Sequence, residues 1–243
     1  MHLQKFKGVV FLFVILGLST STEIFGQEIS KQIIFEKPNS ILFSPFNLLD
    51  PINPSFQLGY ERMLNPEWAL QLEGGYIINK GLINILLNPQ EGSDEYSNKG
   101  YKLRFEIKRT LVSKKRIRLY SSCEFFYLKN VSDVINQFVV SDPSYNYSFG
   151  TPPNNEKSYY YDDYFTNDKS KYGMNIKGGI KVFIGQVFIE SYTGLGIAYR
   201  NNIHSNRENI NDASLDESFL NDNLQGEKII LNIPLNIKIG YRF

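Results

Sequence analysis

The chain has 243 residues with 26 basic and 25 acidic side chains, two histidines and one cysteine. This near-neutral charge excludes the basic balance of a typical nucleic-acid-binding domain. Cys123 alone cannot form an internal disulfide or a cysteine-rich zinc site. Mean hydropathy is −0.28, and no apolar stretch after residue 18 approaches the roughly 18 residues of a membrane-spanning helix. A helical membrane protein is therefore excluded.

The first 26 residues have the order of a secretory signal peptide. Lys5 and Lys7 precede an apolar run from Val9 to Leu18, and a polar stretch then leads to the small residue Gly26. The alternative is a buried amino-terminal strand or helix. We predict export, removal of residues 1–26, and a periplasmic amino-terminal stretch over residues 27–38.

The rest of the chain alternates apolar and polar residues at period two, which is the period of a β-strand. The last segment is the clearest, because every odd position from Ile229 to Phe243 is apolar. Eight such segments predict an all-β fold. They cover about residues 40–46, 56–61, 68–76, 101–108, 117–127, 172–182, 187–200 and 229–243.

The connections between these segments alternate between short and long. Residues 65–67, 112–116 and 185–186 form short turns, residues 47–55 a modest loop, and residues 79–99, 129–171 and 201–226 long polar loops. In an up-and-down sheet, alternate connections lie at the same end. Short turns at one end and long loops at the other are typical of outer-membrane barrels. We predict an eight-stranded antiparallel up-and-down transmembrane β-barrel over residues 39–243, with the long loops outside the cell.

Aromatic residues cluster at both ends of the apolar face. Two aromatic bands separated by aliphatic residues are the pattern expected at two membrane interfaces. A soluble secreted barrel or sandwich is the alternative, because period two does not say which face is outside. Tyr76, Tyr101, Tyr127, Tyr172 and Tyr199 lie at the loop side, and Tyr60, Trp68, Tyr241 and Phe243 lie at the turn side.

Two parts of the sequence resemble known membrane barrels. Alternating apolar residues leading back from Phe243 through Tyr241, Ile239 and Ile237 resemble the assembly signal of bacterial outer-membrane barrels. The runs Gly59-Tyr60-Glu61 and 68–76 are similar to small porin-like outer-membrane β-barrels of Bacteroidota. The resemblance covers about residues 39–243. It implies the outer membrane of a Gram-negative cell, contact with its lipids and insertion by the barrel-assembly machinery, but it carries over no functional residue.

Charged residues on the polar face predict a ladder of ion pairs inside the barrel. Charges withdrawn from water need partners, and eight strands leave room for side chains rather than for a channel. The predicted members are Glu61, Glu73, Lys102, Arg104, Glu106, Lys108, Arg118, Glu124, Lys177, Lys181, Glu190, Arg200 and Lys238.

One loop segment is a candidate ligand patch: Tyr159, Tyr160, Tyr161, Asp162, Asp163 and Tyr164. Aromatic rings beside carboxylates can hold a sugar or a calcium ion. No EF-hand spacing accompanies the patch, and the alternative is that its tyrosines pack over the barrel mouth or against lipid head groups.

The sequence offers little material for catalysis. His204 has Ser205, Asp212 and Asp216 nearby, which allows a Ser-His-Asp arrangement to be imagined. No nucleophile elbow accompanies it. We therefore predict no enzymatic activity, no catalytic residues, no cofactor and no metal.

These observations together predict a monomeric, non-enzymatic outer-membrane protein. Its plugged barrel serves as an envelope anchor, and its loops meet an extracellular partner of unknown identity, without nucleic acid. The alternatives are a narrow small-solute porin and a soluble secreted β-barrel binding protein.

Overall fold

The computed structural model describes residues 37–50, 53–79, 97–140, 160–214 and 223–243. The predicted signal peptide, and all but the last two residues of the predicted periplasmic stretch 27–38, lie outside these ranges. No helix in the described part of the chain is long and apolar enough to cross a membrane. The strands are β1 Asn39–Phe43, β2 Ser55–Met63, β3 Trp68–Ile77, β4 Asn98–Ser113, β5 Ile117–Val139, β6 Tyr160–Ile184, β7 Val187–Ser205, β8 Ala213–Ser214, β9 Gly226–Asn232 and β10 Leu235–Arg242.

The strands close into a barrel. Each strand from β1 to β6 pairs with the strand that follows it in the chain. β10 pairs with both β7 and β1, which closes the sheet. β9 pairs with β7 in the same register as β10 does, and only Ile233 and Pro234 separate the two. Because proline has no N–H to donate, the ladder is interrupted there. β9 and β10 are therefore one barrel strand, which confirms the predicted eight-stranded antiparallel barrel; β8 is an extra strand beside β5.

Short turns join the strands at one end of the barrel, as predicted. β6 and β7 are joined by Gly185 and Gln186 alone. Gly185 has a φ of 66°, and Asn206 is the one described non-glycine residue with a positive φ. Positive φ at the first turn position only is the geometry of a type II′ hairpin. Glycine fits it because it has no Cβ to clash.

The apolar face of the barrel points outward. Leu72 and Leu235 are 59% and 76% exposed, whereas their neighbours Glu73 and Asn236 are each 2% exposed. This is the reverse of a water-soluble fold, in which large apolar side chains fill the interior. An apolar surface that encircles the barrel is suited to lipid.

The loop-side tyrosines form a continuous band across neighbouring strands. Tyr76 opposes Tyr101, and Tyr172 opposes both Tyr127 and Tyr199. The rings of Tyr101 and Tyr127 lie 5.9 Å apart, and those of Tyr172 and Tyr199 lie 5.1 Å apart. The band marks one level around five strands of the barrel.

The predicted long loop 129–171 is wrong in its bounds. β5 and β6 stay paired from Leu128 opposite Lys171 to Val139 opposite Tyr160, so the connection begins at Val140 and ends at Tyr159. β7 likewise continues to Ser205, past the predicted loop start at residue 201. The alternation fades in these extensions because polar residues such as Asp133 and Gln137 occupy their outer face.

Candidate functional site in the lumen and the extracellular sheet

Two lysines and two glutamates form a charged layer in the lumen on the side of the short turns, which we call the lower layer. Lys108 Nζ lies 2.9 Å from Glu61 and 2.6 Å from Glu190. Lys181 Nζ contacts Glu61 directly and lies 3.3 Å from Glu190. The Tyr120 hydroxyl donates a hydrogen bond of 2.6 Å to Glu190. Each lysine thus bridges both carboxylates, and the layer closes on itself.

A second layer lies toward the loop side, which is the extracellular side in the predicted orientation. Lys177 Nζ lies 2.8 Å from Glu106 and 2.6 Å from Glu124. Lys238 Nζ lies 2.6 Å from Glu73. All five side chains are at most 2% exposed. The two lysines leave one of the three carboxylate charges uncompensated, and the buried Arg104 guanidinium interacts with all three carboxylates.

Aromatic rings fill the space between the charged layers. Lys177 Nζ lies 4.0 Å from the centroid of the Tyr192 ring, and Arg104 Nη1 donates to the Tyr192 hydroxyl at 3.0 Å. The Tyr120 ring lies against the backbone of Gly179, where an added Cβ would overlap the ring. Small residues on the wall are thus needed because the rings occupy the lumen.

Apolar side chains lie at the turn end of the lumen, which is the periplasmic end in the predicted orientation. Leu42, Phe183 and Phe188 form a buried cluster there. The rings of Phe183 and Phe188 lie 5.4 Å apart. This cluster, the floor of the lumen, lies between the lower layer and the turn side of the barrel.

A segment between β1 and β2 folds inward over the charged layers. Ser44 Oγ donates to Glu73 at 3.0 Å. The carbonyl oxygen of Asn53 accepts from Lys102 Nζ at 2.7 Å, and its side-chain oxygen accepts from Asn130 at 3.0 Å. Asn53 thus reaches β4 and β5, and the described residues of 44–54 cap the lumen from the extracellular side. We call this segment the inward cap.

The inward cap corrects two predicted bounds. β1 ends at Phe43 instead of residue 46, and the described residues of the predicted modest loop 47–55 that precede β2 belong to the inward cap. A short 3₁₀ turn, Pro45–Leu48, follows β1. Prolines at 45, 51 and 54 were the available signal, because a residue without an N–H cannot continue a strand ladder.

The thirteen predicted ladder residues differ in their surroundings. Glu61, Glu73, Glu106, Glu124, Glu190, Lys108, Lys177, Lys181 and Lys238 are brought together in the two layers. Lys102 lies 3.5 Å from Asp50 of the inward cap, and Arg104 contacts Tyr192. Arg200 is buried on β7. Arg118 lies apart, against Met63 and Phe183 at the periplasmic end.

Beyond the tyrosine band, β5, β6, β7 and β8 form a sheet that we call the extracellular sheet, because the long loops on this side are predicted to lie outside the cell. Its inner face carries a small aromatic core of Phe138, Tyr161 and Phe165. The His204 ring lies 4.3 Å from that of Phe165. The sheet therefore has packing of its own above the barrel.

Polar groups lock residues 207–212 onto the inner face of the extracellular sheet. Arg207 lies 3.6 Å from the centroid of the Phe138 ring, with its Nε 3.4 Å from Asp163. The Tyr161 hydroxyl donates to Asp212 at 2.9 Å, and Asn209 donates to the other oxygen of Asp212 at 3.1 Å. Burial, together with the bond to Asp212, raises the pKa of Tyr161. These groups satisfy one another, which is the arrangement of a structural core.

The predicted ligand patch does not form one convergent site. Tyr161 and Asp163 point inward and are buried, whereas Asp162 and Tyr164 are exposed on the opposite face. Tyr160 begins β6, and Tyr159 lies outside the described residues. The patch is divided because it is a strand, in which neighbouring side chains point to opposite faces. Among the residues that the structure describes, no cluster of three or more His, Cys, Asp or Glu could hold a metal ion.

His204 has structural partners rather than catalytic ones. Its Nε2 lies 2.7 Å from the carbonyl oxygen of Asn223. Ser205 is exposed and its hydroxyl contacts the backbone of Thr166, while Asp212 is bound by Tyr161 and Asn209. Asp216 lies outside the described residues. Burial lowers the pKa of His204, as expected for an imidazole packed against Phe165.

Comparison with known proteins adds one structural likeness. No family model matches the chain, and no curated protein sequence matches it. One solved structure, of a major outer membrane protein from Thermus thermophilus, matches over 84% of this chain and 98% of its own, at 12% identity and a TM-score of 0.39. A likeness this distant carries no argument about function.

Proposed function

We propose that this protein is a non-enzymatic outer-membrane β-barrel whose closed body anchors the extracellular sheet for contact with a partner at the cell surface. The observation that carries the proposal is the combination of a filled lumen with a folded sheet above the tyrosine band. The partner's identity is open, and the proposal requires no nucleic acid, cofactor or second copy of the chain.

The outer surface of the barrel supports the membrane location. Its exposed side chains are largely apolar between Trp68 and Tyr241 on the turn side and the tyrosine band on the loop side. Water would leave this surface unfavourably solvated, because large exposed apolar areas are unusual on soluble monomers. The proposal therefore includes export by residues 1–26, recognition of Ile237, Ile239, Tyr241 and Phe243 by the barrel-assembly machinery, and contact with outer-membrane lipids.

The three closures of the lumen argue against a pore. The inward cap, the two charged layers and the floor of Leu42, Phe183 and Phe188 lie one below another. A solute would have to separate ion pairs that are almost fully buried, which is costly for each charge left without a partner. These three closures favour the plugged barrel over the porin alternative.

The extracellular sheet supports a role in surface contact. β5 and β6 continue for twelve residue pairs beyond the Tyr127–Tyr172 pair, which is about 40 Å of strand. Its outer face exposes Ile135, Tyr164 and Ile203. Apolar and aromatic side chains on a rigid, water-facing sheet are typical of interaction surfaces.

Two measurements on the mature chain test the proposal. Membranes from expressing cells are washed at alkaline pH, and we expect the chain to stay in the membrane fraction. The detergent-purified chain is then placed in planar lipid bilayers, where we expect no stable open level. Recovery of the chain in the soluble fraction would refute the membrane location, and a reproducible conductance step would establish the pore.

A further inference from the structure

Two arginines share one aromatic ring at the periplasmic mouth of the barrel. Arg118 of β5 and Arg242 of β10 have their guanidinium carbons 5.3 Å and 4.5 Å from the centroid of the Phe183 ring. Arg242 is held in place by donating to the carbonyl oxygen of Gly185 at 3.2 Å. The ring therefore brings two positive charges together at the mouth.

Among the described residues, Arg118 forms no ion pair within 4.0 Å. It is 5% exposed, its Nη1 donates to the thioether sulfur of Met63 at 3.2 Å, and its Nε has no hydrogen-bond partner. The Nε of Arg242 is also without a partner. Among the described residues, no carboxylate lies within 4.0 Å of either guanidinium, and Glu61 is already bound by Lys108 and Lys181.

The contacts of the buried Arg118 guanidinium offset only part of the cost of removing its charge from water. A thioether is a weak acceptor, and a ring face compensates only part of the cost of removing a charge from water. The neighbouring strand ends add Arg62 and Arg109, and the turns add Lys114, Lys115 and Arg116, with Glu67 as an acidic neighbour. The mouth therefore has a surplus of donors and positive charge.

We propose that Arg118 and Arg242 bind a phosphate-type oxyanion at the periplasmic mouth. A guanidinium presents its N–H groups in a planar fork that matches the oxygens of a phosphate group. The ring of Phe183 is the neighbour that both guanidiniums share. The anion is either free phosphate or the phosphate of a lipid head group in the periplasmic leaflet. This site lies at the opposite end from the extracellular sheet and is independent of the proposed function.

The test is the thermal unfolding of the mature chain, folded in a non-ionic detergent, as inorganic phosphate is added at constant ionic strength. We expect a saturable rise of the unfolding midpoint, because a ligand that binds only the folded state stabilises it. Arg118→Met should weaken the apparent affinity about tenfold or more, which is the usual effect of losing a hydrogen bond to a charged group. Arg116→Met is the matched control, since Arg116 is exposed in the adjacent turn.

Two further measurements identify the source of the phosphate and keep the test valid if Arg118→Met does not fold. Short-chain phosphatidylglycerol replaces inorganic phosphate in a parallel titration, and a response to this lipid alone assigns the site to a head group. Should Arg118→Met fail to fold, Arg242→Met tests the same site from its half-buried side. The proposal is overturned when neither anion gives a saturable shift, or when the folded arginine variants respond as the unmodified chain does.

Discussion

Single side chains in the lumen depend on partners from distant parts of the sequence. Lys238 of β10 and Glu73 of β3 lie 165 residues apart and form an ion pair of 2.6 Å. Glu73 also accepts hydrogen bonds from Ser44 and Gln71. A buried ion pair is weak evidence for stability, but breaking one by removing a single partner leaves a buried charge uncompensated.

Glu73→Gln is therefore expected to destabilise the barrel by about 3–5 kcal/mol, because Lys238 loses its nearest carboxylate. Adding Lys238→Met to the same chain should recover most of that loss. The measurement is the free energy of unfolding in urea, with the chain inserted in lipid vesicles. Glu67→Gln, in an exposed turn, should change it by less than about 0.5 kcal/mol. Equal losses in the single and double variants would show that Lys238 is not what makes Glu73 important.

His204 links the extracellular sheet to pH. Burial holds its pKa below the ordinary value, and its Nδ1 is buried without a hydrogen-bond partner. Protonation would place a charge and an unmatched N–H there. Arg207 disfavours the charge and Asp163 favours it. The unfolded sheet binds this proton more readily, so stability is complete above about pH 6.5 and is lost as pH falls through the native pKa.

We therefore expect residues 204–212 to exchange their amide hydrogens faster at about pH 5.5 than at about pH 7.5, after correction for the intrinsic rate. His204→Gln should remove this difference, because the Gln amide donates to Asn223 but does not titrate. The barrel strands below the tyrosine band serve as the internal control. An unchanged pH response in His204→Gln would assign the effect to another group.

The elements show how far alternation predicts this fold. Strands below the tyrosine band alternate sharply, so β10 and the lower parts of β5 to β7 are predictable. Above the tyrosine band the inner face keeps an aromatic core, but the pattern fades because Asp133, Gln137 and Asp168 lie on the outer face. The inward cap carried no periodic signal, because its shape follows from prolines and from hydrogen bonds to strands that are distant in sequence.

Strand parity also predicted which charges enter the lumen, although not their partners. Lys108 meets Glu61 and Glu190, 47 and 82 residues away, only because the pairing of all strands brings them to one level. Arg118 has the same parity but lies at the floor, where no carboxylate of the described residues is within ion-pair distance. The level of a side chain along the barrel axis depends on the pairing of all the strands, so it cannot be read from the residues around it in the sequence.

The tightest element is the hairpin turn at Gly185. Its φ of 66° is unfavourable for a residue with a Cβ, so Gly185→Ala should cost about 1–2 kcal/mol. Gly178→Ala in β6 is the control, because an added Cβ there meets no atom within 4 Å and its φ is not positive. Urea unfolding in vesicles measures both variants. Equal effects of the two would mean that the turn does not require glycine.

The barrel reverses the arrangement of a water-soluble protein, because its charged side chains lie inside and its apolar side chains lie outside. That reversal is stable only where the exterior is apolar, since exposed apolar area costs about 25 cal/mol per Å² in water. The polar interior in turn requires the closures described above, because a partly paired lumen would leave buried charges. The proposed membrane insertion and the filled lumen are thus two consequences of one pattern.

Leu72 lies on β3 midway between Trp68 and Tyr76, and it faces outward with 59% exposure. On a water-soluble protein, Leu72→Arg would be nearly neutral, because surface substitutions usually change stability by less than about 0.5 kcal/mol. At the bilayer midplane the same change is expected to cost about 2–4 kcal/mol. Leu64→Arg is the matched control, since Leu64 is similarly exposed but lies in the turn before β3. Urea unfolding in phosphatidylcholine vesicles separates the two cases: a small and equal effect of both variants would place the barrel in water.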